Sequence, residues 1–176
     1  MSEVWDISEP EPAITHAELL LLHNAVLDTT AQTVVELGVE TGNSTLALLM
    51  GLRYTGGYLV SYDIDPCDRA FERVDGARLG TRWLFRQRHS LSDRWDRPID
   101  VLWIDSSHEF HETRQELRFY EPHVRTGGII AMHDIESVPD VERAIGAYFD
   151  GGYRIERHRL RGLRANGLAL IYKGEA

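Results

Sequence analysis

One stretch limits the fold more than any other. Val34-Val35-Glu36-Leu37-Gly38-Val39-Glu40-Thr41-Gly42 is an apolar strand running into a glycine turn, and Asn43, Ser44, Leu46, Leu49 and Met50 open a helix pattern directly after it. The next apolar run, Tyr58-Leu59-Val60-Ser61-Tyr62, ends in Asp63. Strand, glycine turn, helix and acid-terminated strand make the nucleotide-binding half of a doubly wound sheet. The glycines let the backbone approach a ligand, and the acid can accept hydrogen bonds from a ribose diol. Gly38 and Gly42 are four apart, so the dinucleotide fingerprint G-x-G-x-x-G is absent. No lysine follows Gly42, so a P-loop is absent too.

The rest of the chain continues the alternation. Thr15-His16-Ala17-Glu18 is a capping box that opens a helix to about Leu27. Asp65-Pro66 has the form of an N-cap with proline at the first helical position, which predicts a helix to about Leu79. Trp83-Leu84-Phe85 begins a third strand, and Ile99 to Ile104 is nearly all apolar, as a doubly buried parallel strand should be. Phe110, Thr113, Leu117, Tyr120 and Val124 recur at helical spacing. Gly127-Gly128 leads into a fifth strand, Ile129 to Met132, and Ser137 can cap a helix ending near Asp150. Tyr153 to Leu160 and Leu168 to Tyr172 are strand-like, with only a short turn region holding Gly162, Asn166 and Gly167 between them. That gap is too short for a crossover helix, so this pair should be an antiparallel hairpin. Residues 1–13 are acidic, carry Pro10 and Pro12, and read as a loose arm.

Composition removes several function classes. A net charge of −9 argues against general affinity for nucleic acid or anionic membranes, which both reward basic surfaces. Cys67 is alone, which excludes an internal disulfide and a thiolate metal cluster. No apolar stretch approaches the ~18 residues of a membrane span. The start of the sequence lacks the basic and apolar regions of a signal peptide, so a cytoplasmic protein is expected.

Four motifs in order carry a family resemblance: Glu36-Leu37-Gly38-x-x-x-Gly42; Asp63 ending strand two; Asp100-Val-Leu-Trp-Ile-Asp105-Ser-Ser-His108; and Gly127-Gly128-Ile-Ile-Ala-Met-His133-Asp134. Over about residues 30–173 the chain resembles the class I S-adenosylmethionine-dependent methyltransferases. Within them it looks most like the small metal-dependent O-methyltransferases of the catechol, caffeoyl-CoA and macrocin kinds. The resemblance implies an α/β, doubly wound Rossmann-like sandwich. Its seven-stranded, mostly parallel sheet would run 3-2-1-4-5-7-6 and close on the C-terminal antiparallel hairpin, in a single domain over residues 1–176.

The resemblance also assigns residues. S-adenosylmethionine would lie against Glu36, Gly38, Thr41, Gly42, Ser44, Asp63, Ser90 and Asp105. Glu36 would face its ammonium end, Thr41 and Ser44 with the helix N-terminus its carboxylate, Asp63 its ribose and Ser90 its adenine edge. Asp105, His133 and Asp134 match the family's three metal positions. His133 replaces an oxygen ligand, which shifts preference from Mg²⁺ toward Mn²⁺, Fe²⁺ or Co²⁺. His108 stands where relatives place a catalytic base. The expected partner is a small hydroxylated acceptor, with no nucleic acid and no membrane. The pocket is either open or completed by a second subunit, so a homodimer is one expectation. Two rival readings stay open. A metal-dependent hydrolase or oxygenase on the same sheet leaves the glycine turn and Asp63 without a task. A non-catalytic cofactor-binding sensor or scaffold is the other.

Overall fold

The computed structural model describes residues 14–149, 151, 153–159 and 166–174. The expected N-terminal arm, the end of the fifth helix at Asp150, and Leu160 and Gly162 of the hairpin region lie outside them.

The elements are α1 (His16–Asp28), β1 (Thr33–Leu37), α2 (Asn43–Thr55), β2 (Tyr58–Asp63), α3 (Asp68–Gly76), β3 (Trp83–Gln87), β4 (Ile99–Ile104), α4 (Phe110–Tyr120), β5 (Val124–His133), α5 (Pro139–Tyr148), β6 (Arg154–His158) and β7 (Leu168–Tyr172). One seven-stranded sheet runs β3-β2-β1-β4-β5-β7-β6. The first five strands are parallel, and β7 is antiparallel to both neighbours. Order and hairpin agree with the sequence-based expectation.

Strand periodicity explains why both faces are covered. Val34, Leu59, Val101, Ile129 and Leu170 join the core against α1 and α2. Their neighbours Val35, Val60, Leu102, Ile130 and Ile171 join the core against α4 and α5. Successive side chains leave opposite faces of a strand, so a near-continuous apolar run feeds two cores at once. Crossovers between parallel strands place all their C-terminal ends at one edge, where a crevice opens between β1 and β4 as the strand order reverses. Among the described residues, no helix is long and apolar enough to cross a membrane.

Four local features differ from expectation. α3 begins at Asp68, not at Pro66, because Asp63 Oδ1 takes the Asp65 N–H at 3.0 Å and Cys67 turns left-handed at φ 53°. Val124 starts β5 and does not end α4; a short 3₁₀ turn over Glu121–His123 intervenes. Gly127 and Gly128 lie inside β5, where they exchange backbone bonds with Lys173. Ser137 does not cap α5. Its hydroxyl donates to Asp134 Oδ1, and the cap is Val138.

Candidate active site

A cleft of about 550 Å³ lies at this edge, within the ~300–1,000 Å³ range of small-ligand sites. It is lined by the turn after β1 (Gly38–Thr41), the end of β2 (Tyr62–Asp65), the loops after β3 and β4 (Arg88–Ser90, Asp105–His108), and His133 and Asp134 after β5. Gly38, Thr41, Ser44, Asp63, Ser90, Asp105, His108, His133 and Asp134 are thus brought together as expected. Glu36 and Gly42 are not among the lining residues.

The exclusion of Glu36 corrects the motif-based reading. Its carboxylate is fully buried and accepts the hydroxyls of Ser44 at 2.7 Å, Thr45 at 2.9 Å and Ser61 at 2.6 Å. Ser44 therefore spends its proton on Glu36 and has none left for a ligand carboxylate. Burial raises the Glu36 pKa to about 7 despite these three donors. Its contribution to stability is full below about 4.5 and is lost as pH rises through about 7. That interval corresponds to about 3 kcal/mol at most, and glutamine, which offers one acceptor oxygen instead of two, should recover about 1 kcal/mol of it. In urea melts between pH 5 and pH 8, Glu36→Gln should gain on the wild type as pH rises. Parallel profiles would contradict this.

Gly42 also serves the fold. It starts α2 at φ 81°, and a Cβ there would meet Ala70 Cβ at 2.7 Å, so it seats α3 against α2. No side chain caps α2, which leaves its first N–H groups facing the cleft.

Asp63 stands at the centre. Its Oδ2 accepts the N–H groups of Val39 at 2.8 Å and Glu40 at 3.1 Å. Burial works to raise its pKa, but the N–H groups of Asp65, Val39 and Glu40 outweigh it and hold the carboxyl ionised below its usual range. Oδ1 takes the Asp65 N–H at 3.0 Å, and the Cys67 thiol also interacts with this carboxylate; each carboxylate oxygen can accept more than one hydrogen bond.

The charged cluster lies at the other end. His108 Nε2 is 3.0 Å from Asp105 Oδ1 and 2.8 Å from Asp134 Oδ2. Ligand atoms of Asp105, His108 and Asp134 all lie within 4.8 Å of one another, a separation that one divalent cation can span. His108 and Asp134 both adopt φ 61°, a conformation that costs non-glycine residues ~1–3 kcal/mol and is held only where surroundings enforce it.

His133 does not belong to that trio, which corrects the expected ligand set. Its side chain is 2% exposed against 32% for His108, and it packs on Trp103. Nδ1 faces Asp105 at 3.3 Å and Asp134 at 3.6 Å, while Nε2 faces Glu18 at 3.6 Å. With carboxylates on both sides the ring keeps both protons. Burial opposes this, but Asp105, Asp134 and Glu18 raise its pKa to about 12. Its two nitrogens face carboxylates on opposite sides of the ring, so it braces Asp105 and Asp134 and lies outside the group of mutually close ligand atoms. His108 is also held protonated, raised to about 9 by Asp105 and Asp134. A divalent cation bound by Asp105 and Asp134 would displace that proton and leave Nε2 as a third donor.

Two acids were missed from sequence. Glu18 closes the capping box of α1 and also reaches His133. Glu116 is fully buried on α4 and takes the hydroxyls of Ser90 and Ser106, both at 2.6 Å. It falls beside Leu117 on the inward face that Thr113, Leu117 and Tyr120 define. A carboxylate among core positions was the available signal.

A family model described as a methyltransferase domain matches residues 35–135, more than half of the chain. The chain belongs to the methyltransferase domain family. A search of curated proteins finds no match. Among solved structures, this methyltransferase domain is similar to cofactor-bound Rv0187 from MTB (TM-score 0.82, 18% identity, covering 96% of this chain and 85% of that one). It is similar to the O-methyltransferase TomG from Streptomyces achromogenes, solved with SAM (0.78, 16%, 94% and 83%). It is also similar to an O-methyltransferase from Bacillus cereus, solved with SAH (0.74, 16%, 97% and 94%). At these identities the likeness is one of fold, and the fold is that of the class I methyltransferases.

Proposed function

We propose that this methyltransferase domain transfers the methyl group of S-adenosylmethionine to a hydroxyl oxygen of a small molecule, assisted by a divalent cation at Asp105, His108 and Asp134. The observation that carries the reading is one continuous cleft. It joins an ionised Asp63, placed for a ribose diol, to a carboxylate–imidazole cluster placed for the acceptor. TomG and the Bacillus cereus enzyme, solved with SAM and SAH, support the same cofactor here.

The residues divide the work along the cleft. Asp63 orients the ribose. The uncapped N–H groups at the start of α2, with the Thr41 hydroxyl, receive the amino acid carboxylate. Ser90 meets the purine. The chemistry breaks the S–CH₃ bond of a sulfonium and forms O–CH₃, leaving a neutral thioether and releasing the hydroxyl proton. Two carboxylates and an imidazole suit Mn²⁺, Fe²⁺ or Co²⁺ better than Mg²⁺. Such a cation supplies a Lewis acid that lowers the pKa of an adjacent substrate hydroxyl. His133 holds Asp105 and Asp134 from behind, so that both keep the orientation a cation needs.

Titration with Mn²⁺ tests the cation site without needing the acceptor. The wild type should bind one ion, and Asp134→Asn should bind it at least about tenfold more weakly. Equal affinities would remove Asp134 from the site. With labelled S-adenosylmethionine, transfer to a panel of phenols, catechols and sugar hydroxyls should stop in excess chelator. Transfer that persists would remove the metal from the reading.

A further inference from the structure

Three residues on one face of α4, four apart, reach across to the loop after β3. His89 Nε2 lies 2.6 Å from Glu112 Oε1. The Ser90 hydroxyl donates to Glu116 Oε1 at 2.6 Å. The Tyr120 hydroxyl donates to the Ser90 carbonyl at 2.6 Å. Glu116 Oε2 also takes the Ser106 hydroxyl, so one buried carboxylate ties together the loops after β3 and β4. Ser90, Ser106 and Glu116 all border the cleft.

A serine hydroxyl has a single proton, and a carboxylate only accepts. Ser90 therefore spends its proton on Glu116 and presents only lone pairs elsewhere. Its carbonyl is held by Tyr120, so it cannot re-aim without breaking buried hydrogen bonds. At this end of the cleft Ser90 Oγ is fixed as an acceptor.

We infer that Glu116 sets the purine specificity of the cleft: by holding the Ser90 proton it makes the site accept a 6-amino purine and reject a 6-oxo purine. The inference rests on the cofactor reading above, with the purine end at Ser90. An adenine 6-amino group donates to Ser90 Oγ. A hypoxanthine or guanine 6-oxo group would face lone pairs with lone pairs and leave both unpaired, which is how a site built around one hydrogen bond rejects an analogue that lacks it. Glu116 acts through Ser90 and is a positioning residue.

Calorimetric titration with S-adenosylhomocysteine and S-inosylhomocysteine tests this directly. The wild type should prefer the adenosyl compound by at least about tenfold. Glu116→Met removes the acceptor and frees the Ser90 hydroxyl to rotate, so the preference should fall to about threefold or less. Ser90→Ala should do the same, whereas Ser106→Ala leaves Ser90 on Glu116 and should keep the ratio. A purely structural role for Glu116 would weaken both ligands together and leave the ratio unchanged. Wild-type protein that binds neither compound would defeat the cofactor reading itself. Wild-type protein that binds both equally would overturn this inference alone, as would a wild-type ratio in folded Glu116→Met. If Glu116→Met does not fold, Ser90→Ala decides, and an unchanged ratio there overturns it.

Discussion

Gly38→Ala should lose a large part of its stability and disrupt the site. Gly38 sits at φ 91°, and a Cβ there would lie 2.0 Å from the Asp105 carbonyl oxygen and 2.7 Å from its carbon. Both atoms are backbone and cannot swing aside. Gly38 N–H donates to the Tyr62 carbonyl at 2.9 Å, and Asp105 N–H to the Leu37 carbonyl at 2.8 Å, so the ends of β1, β2 and β4 are already pinned together. Relief of the clash must separate β1 from β4 and carry Asp105 away from His108. A backbone clash with forced left-handed geometry places the cost at about 4 kcal/mol or more. A domain of this size is stable by only ~5–15 kcal/mol. Chemical denaturation would measure the loss, and a cost below about 1 kcal/mol would contradict the packing described. The glycine of the first motif thus serves a strand crossing as much as a ligand.

Asp63→Ala should have the next largest effect, and on two quantities at once. The variant removes the acceptor for three backbone N–H groups, those of Val39, Glu40 and Asp65, which hold the turn that borders the cleft. It also removes the carboxylate assigned to the ribose. A lost charge-assisted hydrogen bond costs ~1.5–3 kcal/mol, so affinity for S-adenosylhomocysteine should fall by about 10-fold to 150-fold. Unfolding should show a loss of about 2 kcal/mol from the turn. Asp63→Asn keeps one oxygen and should fall between variant and wild type in both. An unchanged dissociation constant in Asp63→Ala would mean the ribose lies elsewhere.

The sheet was legible because its signals are local. Ile99–Ile104 is apolar except for Asp100 since both faces of β4 are covered, and the short gap before Leu168 left room only for a hairpin. Illegible features depend on groups that meet only in three dimensions. Asp65-Pro66 carries good capping chemistry, yet Asp63 claims the Asp65 N–H and delays α3 to Asp68. Gly127-Gly128 resembles a turn, but Lys173 returns from the end of the chain to pair with both. Glu36 was assigned to the ligand because its motif position invites it. Three hydroxyls, from Ser44 and Thr45 of α2 and Ser61 of β2, capture it first.

The charged cluster shows the same division. Asp105 and His108 are three residues apart, and their pairing could be read from sequence. That Asp134 closes on the other side of His108, and that His133 turns inward to Glu18, follows from the pairing of β4 with β5 and the docking of α1. The four side chains expected at this end of the cleft do meet there, and their geometry differs from the expected division of roles. His133 supports the carboxylates, and His108 completes the candidate ligand trio.

The most direct test of the account is calorimetric titration of the folded wild-type protein with S-adenosylhomocysteine, with and without Mn²⁺. One binding event per chain is expected, with a dissociation constant on the order of 1–100 μM. It should be weakened at least about 10-fold in Asp63→Ala. No heat and no thermal stabilisation at millimolar S-adenosylhomocysteine, in either condition, would contradict the assignment of the cleft to this cofactor.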